Sequence, residues 1–184
     1  RFNENIEWVE EFNSKYKVII YNKGGNLDSD INCQIINIYN VGREAHTWVY
    51  HIYKNYDQID DNTVFLQGRI NDLGCMAFID INKYFLGLEK QDFCVSRFGL
   101  LTPFHWKKNL GIHKDPRYEK NWNSLQISKN KDGFRKFSTN LLGYVPIICP
   151  TSYGGCFAVS KCAILKYPKE FYLNLLNILD HHIH

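Results

Sequence analysis

Asn40-Val41-Gly42-Arg43-Glu44-Ala45-His46-Thr47-Trp48-Val49-Tyr50-His51-Ile52-Tyr53 is followed, after one turn, by Thr63-Val64-Phe65-Leu66-Gln67-Gly68. The first stretch has helical periodicity: Ala45, Trp48, Val49, Ile52 and Tyr56 form one apolar stripe. Arg43, His46, Thr47, Tyr50 and Lys54 fall on the opposite side, with Glu44 and His51 on a third flank. A solvated face carries Lys, Glu and Gln. This face carries side chains that make directed hydrogen bonds. Gly42 marks the helix start, where free backbone N–H groups favour an anion. The second stretch is a β-branched and aromatic strand that stops on an amide and a glycine. Helices feeding strands with polar tips build sites at the carboxyl edge of α/β sheets.

Working outward, Ile6, Trp8, Val9 and Phe12 predict a short amphipathic helix with Asn5 as its cap. Lys17–Tyr21 reads as a strand covered on both faces, closed by the turn Asn22-Lys23-Gly24-Gly25-Asn26. Cys33–Tyr39 reads as a further strand. A helix is expected over Asn71–Leu88, although Phe78–Ile81 alone also suits a strand. Phe93–Phe98 reads as extended, and residues 103–136 as a long irregular insert, a class of segment often tied to function. Tyr144–Ile148 and Cys156–Val159 read as strands. A last helix starts at Ser160 or Pro168 with an apolar stripe of Phe171, Leu175, Ile178 and Leu179. The alternation predicts an α/β sandwich with a mostly parallel central sheet.

A length of 184 residues fits one domain spanning 1–184, and the apolar content suits a substantial core. A net charge of +3 lacks the concentrated basic face that nucleic-acid binding needs. No run approaches the length of a membrane span. The six cysteines contain no C-x-x-C pair, so a zinc knuckle is not expected, and the usage points to a reducing, cytoplasmic setting. His46 and His51 are five apart and do not share a helix face, which rules out a two-histidine metal motif between them. The terminal His181-His182-Ile183-His184 is read as a tail rather than a metal site.

Phe2-Asn3-Glu4, Tyr21-Asn22-Lys23-Gly24, Gly42–Ile52, Val64–Gly68 and Gly154-Gly155-Cys156-Phe157-Ala158-Val159-Ser160 resemble, in the same order, the motifs of a family known as a domain of unknown function. That family is related in fold to the GT-A glycosyltransferases. The resemblance implies a GT-A-like domain taking a nucleotide-diphosphate sugar as donor and a carbohydrate or other hydroxyl as acceptor. It also implies a first strand before Arg1 and a C-terminal acidic and aromatic segment after His184. The substrate-binding residues it suggests are Asn3, Glu4, Asn22, Lys23, Arg43, Glu44, His46, Gln67, Gly68, Gly154 and Gly155. Arg43 ranks ahead of Lys23 for the diphosphate, because Lys23 sits in a glycine-flanked turn and reads as a mobile, hydrated charge. GT-A enzymes commonly hold manganese or magnesium on an Asp-x-Asp motif at a strand end. The tip Phe65-Leu66-Gln67-Gly68 lacks that motif, and Asp72 is the nearest carboxylate for a Mn2+ or Mg2+ ion. A nucleotide-sugar or carbohydrate-binding module without catalysis, and a structural domain of a larger polysaccharide-synthesis protein, are the alternative readings.

Overall fold

The computed structural model describes residues 1–27, 31–69, 81–95, 98–101, 133–152 and 155–180. The N-terminal part of the expected 71–88 helix, most of the 103–136 insert, Asp72, Gly154 and the histidine tail lie outside them. The chain forms two compact units, one of Arg1–Arg97 with Tyr153–Ile183, the other of Phe98–Ser152.

The first unit is mixed α/β. A 3-10 turn (Glu7–Val9) runs into a short helix α1 (Glu10–Asn13), and Asn5 Oδ1 accepts from the Glu7 N–H at 2.8 Å. Strand β1 (Ile19–Asn22) pairs in parallel with β2 (Gln34–Asn37), Ile20 opposite Ile35 and Asn22 opposite Asn37. On the other edge of β1, Arg1 donates to the Tyr21 carbonyl at 2.7 Å and accepts from the Lys23 N–H at 2.9 Å. Helix α2 (Arg43–Asn55) follows, then β3 (Asn62–Phe65), α3 (Ile81–Leu88) and β4 (Phe93–Val95).

The expected mostly parallel central sheet is not found among the described residues. β7 (Phe157–Ser160) returns late in the chain and lies between β3 and β4, antiparallel to both. β1 and β3, expected in one sheet, belong to separate sheets. Tyr144–Ile148 is not a strand. Extended pairing begins only at β6 (Cys149–Ser152), beyond Pro146, which lacks the N–H that a ladder uses. In the second unit, β6 pairs antiparallel with β5 (Phe98–Leu101), and α4 (Gly133–Leu142) precedes it. The chain ends through α5 (Lys161–Ile164), capped by Ser160 Oγ accepting from the Ala163 N–H, and α6 (Lys169–Asp180).

Among the described residues, three apolar clusters hold the first unit. Ile52, Ile59, Phe65, Val159, Ile164 and Tyr172 form the main one, with Trp48 and Val49 of α2 against it and Trp48 meeting Phe157 edge-on at 5.0 Å. Ile6, Val9, Ile20 and Ile31 form a second around β1. Tyr84, Cys156 and Ala158 form a third between α3 and the antiparallel sheet, where Cys156 has no exposed surface.

The side chains of α2 away from the apolar stripe make the directed hydrogen bonds that their types suggest. The polar side is covered as well, His46 on the face opposite the stripe and His51 on the third flank both being buried. His51 Nδ1 is hydrogen-bonded to the Tyr21 hydroxyl at 2.9 Å and meets Asn55 Nδ2 at 3.4 Å. Both faces of α2 are packed. Buried polar groups need partners, which explains histidine and tyrosine where a solvated helix has lysine and glutamate.

Candidate functional site

The polar groups singled out in the sequence come together along the carboxyl end of β1, the start of α2 and the tip of β3. The turn after β1 is built by Asn22, which is 4 % exposed. Its Nδ2 donates to the Gly25 carbonyl at 3.0 Å and to Asn37 Oδ1 at 2.9 Å, while its Oδ1 accepts from the Gly24 N–H. Those bonds make Asn22 a turn-former, not a group open to ligand. Asn3 crosses over this turn, its Oδ1 accepting from the Gly25 N–H at 3.2 Å. The crossing is close enough to demand glycine: a Cβ on Gly24 would lie 1.4 Å from the Phe2 carbonyl oxygen.

Lys23 departs from its expected role. Its Nζ donates to the Val41 carbonyl at 2.6 Å and to the Arg43 carbonyl, so it is anchored rather than mobile. Burial pulls its ammonium down to about 8, against the opposing pull of Glu44 and Asp180. The anchor places a cation at the positive end of α2, where the helix dipole disfavours it and favours an anion. Gly42 and Arg43 both have left-handed backbones there, φ 55° and φ 50°. For Gly42 this is easy. For Arg43 it is a strained conformation of the kind that clusters at functional sites. Gly42 offers no side chain to cap the helix, and a Cβ on it would lie 2.7 Å from His46 Cβ and 3.2 Å from Leu179 Cβ of α6.

His46, one turn into α2, gives Nε2 to Asp180 Oδ1 of α6 at 2.8 Å and lies against the Tyr50 ring at 5.9 Å between centroids. Burial and the Lys23 charge pull its pKa down, opposed by Asp180. Asp180 carried no signal in the sequence, being far along the chain on a helix read only for its apolar stripe.

At the tip of β3, Gln67 Nε2 approaches Glu44 Oε1 at 3.4 Å, and a Cβ on Gly155 would lie 2.6 Å from the same Nε2 and 3.3 Å from Trp48. Gly155 itself has φ 68°. Gly68 faces the N-terminal segment: its carbonyl accepts from Trp8 Nε1 at 3.1 Å, and a Cβ on it would lie 2.8 Å from Glu4 Oε2. Glu4 also accepts from the Phe2 N–H. Asn3 and Glu4 thus meet the β1 turn and the β3 tip respectively. Arg43, Glu44, Gln67 and Gly155 lie along the α2 start and the β3 tip. Gly154 and Asp72, expected beside them, lie outside the described residues.

The donors for a metal ion are thin here. Among the described residues no group of three His, Cys, Asp or Glu is placed to hold one, and the nearby carboxylates Glu4, Glu44 and Asp180 have partners in Phe2, Gln67 and His46. Asp72, the carboxylate expected to hold a Mn2+ or Mg2+ ion, lies outside the described residues. No described helix is long and apolar enough to cross a membrane.

No curated protein and no solved structure matches the chain. A family model described as "Protein of unknown function (DUF3431)" matches residues 2–182. A match over nearly the entire chain makes this protein a member of the DUF3431 family.

Proposed function

We propose that the protein is a GT-A-like glycosyltransferase that takes a nucleotide-diphosphate sugar and passes the sugar to a hydroxyl of a glycan or similar acceptor. The observation that carries this reading is the Lys23 ammonium, anchored on the Val41 and Arg43 carbonyls at the start of α2, a helix that begins at Arg43 with no side-chain cap. Helix N–H groups, a guanidinium and an ammonium are what a departing diphosphate requires. In the displacement, the acceptor hydroxyl oxygen bonds to the anomeric carbon and its proton passes to solvent, while the bond from that carbon to the phosphate oxygen breaks and its electron pair leaves on the diphosphate. Lys23 and Arg43 stabilise that negative charge, and no step is assigned to a metal. Gln67, Gly68 and Gly155 flank the position for the sugar, while Asn3 and Glu4 suit the base or ribose. The absence of Asp-x-Asp from the β3 tip favours a second reading, a nucleotide-sugar-binding module without turnover.

Calorimetry with a panel of nucleotide-diphosphate sugars, each with manganese and with a chelator, tests the binding. The expected result is metal-independent binding of at least one donor, weakened about tenfold or more by Arg43→Ala and by Lys23→Met, since each removes charge-assisted bonds of about 1.5–3 kcal/mol. Parent-like affinity in both variants would remove the diphosphate from the α2 start. Release of free sugar or transfer to an acceptor separates enzyme from binding module.

A further inference from the structure

Arg1 is held by its backbone where two strands end. Its amino nitrogen donates to the Tyr21 carbonyl at 2.7 Å and its carbonyl accepts from the Lys23 N–H at 2.9 Å, which sets Arg1 beside Asn22 at the end of β1. Its stem meets the β3 tip, where a Cβ on Gly68 would lie 3.0 Å from both Cα and Cβ of Arg1. Any residue can make those backbone bonds, and none of them uses the guanidinium. The Arg1 side chain is half-buried, and its Nε is out of solvent with no hydrogen-bond partner among the described residues. Nε is three bonds from Cβ and so stays within about 4 Å of it. The unpaired atom therefore lies by the β3 tip, whatever the rotamer.

Arginine donors taken out of water are paired as a rule, because a desolvated donor with nothing to bind costs stability. The charged groups acting on Arg1 are Glu4 and Lys23. Glu4 is occupied by the Phe2 N–H and makes no ion pair with Arg1. Lys23 is a second cation, spent on two carbonyls. The surroundings thus bring positive charge to the guanidinium and leave it without an anion. We propose that Arg1 is the ligand for an oxyanion, phosphate or carboxylate, bound where the end of β1 meets the β3 tip, with Nε–H as one arm of the contact. The guanidinium presents parallel N–H donors that match two oxygens of either group. As a phosphate ligand Arg1 extends the diphosphate reading above, on which that assignment rests. As a carboxylate ligand it selects an acidic sugar or acceptor. The contact is built from β1 and β3 rather than from the first turn of α2.

The test uses the full chain with two probes, inorganic pyrophosphate and glucuronate. Calorimetry gives the affinities, and NMR follows the Arg1 Nε–H, assigned by its absence from Arg1→Lys. At least one probe is expected to bind the parent and to shift that resonance. The same probe is expected to bind Arg1→Gln about tenfold or more weakly, the scale of lost charge-assisted bonds. Arg1→Lys, which keeps the charge and loses the fork, is expected to fall between. If Arg1→Gln does not fold, the Nε–H resonance of the parent decides alone. Pyrophosphate binding that Lys23→Met weakens, with Nε–H unmoved by either probe, overturns the role of Arg1 and leaves the diphosphate reading standing. Glucuronate that moves Nε–H, with no binding of pyrophosphate, upholds Arg1 and overturns the diphosphate reading. Parent-like affinities in Arg1→Gln, or no binding of either probe, overturn the proposal.

Discussion

Among single residues, Tyr21 and Lys23 show how burial converts ordinary side chains into fixed ones. The Tyr21 hydroxyl supplies the 2.9 Å bond to His51 Nδ1, leaving only the longer Asn55 contact if it is lost. Tyr21→Phe keeps the ring and its edge contact with Tyr50 but leaves a buried ring nitrogen poorly paired. The expected cost is about 1–3 kcal/mol, read as a lower denaturant midpoint at unchanged slope. Lys23 was the residue least legible in the sequence. Glycine neighbours suggest a mobile turn, and nothing local announces that two carbonyls from a segment some twenty residues away will hold its ammonium. Asn22 is the converse case. Its place at a strand end is legible, but its use in closing the turn depends on Asn37 across the β1–β2 pair.

At the level of elements, α2 and α6 are locked by a contact that only glycine permits. Gly42→Ala introduces a Cβ 2.7 Å from His46 Cβ and 3.2 Å from the Leu179 carbonyl, on a backbone with φ 55°. The left-handed conformation alone costs about 1–2 kcal/mol for a non-glycine residue. Displacement of α6 adds to that and draws Asp180 from His46. A drop in thermal midpoint together with a changed His46 ring resonance is expected; a changed midpoint with the ring resonance unaltered would separate the two helices' packing from the ion pair. The periodicity of α2 is local, which is why its span was readable from Gly42 onward. The partners of β3 were not readable, because β7 reaches it from the far end of the chain and inserts between β3 and β4. Strand identity is written in nearby residues, whereas strand order depends on the whole chain.

For the whole molecule, titrating groups act together on stability. His46 and His51 are both held below the ordinary histidine value, chiefly by burial, so below about pH 6.5 the unfolded chain binds more protons than the folded one. Their contribution is full above that pH and is lost on acidification. Lys23, down from 10.5 to about 8, again leaves the unfolded chain with more protons between those values, so its contribution rises with pH there. Cys33, pushed up by burial, opposes this from pH 9, and Tyr21 and Tyr172, pushed up to about 12, oppose it from pH 10. Urea midpoints are therefore expected to rise from pH 8 to 9 in the parent more steeply than in Lys23→Met. Equal slopes would place the Lys23 ammonium in water rather than on its two carbonyls. The described cysteines of the first unit carry a different consequence. Cys162 is exposed, Cys33 and Cys94 are half-buried, and Cys156 is sealed beneath α3. Gly87 of α3 faces Cys94 so closely that a Cβ there would lie 2.5 Å from its sulfur. A thiol reagent thus meets a graded series of clocks already built into the native chain. The exposed Cys162 is expected to react first, the half-buried Cys33 and Cys94 more slowly, and Cys156 only when the antiparallel sheet itself opens.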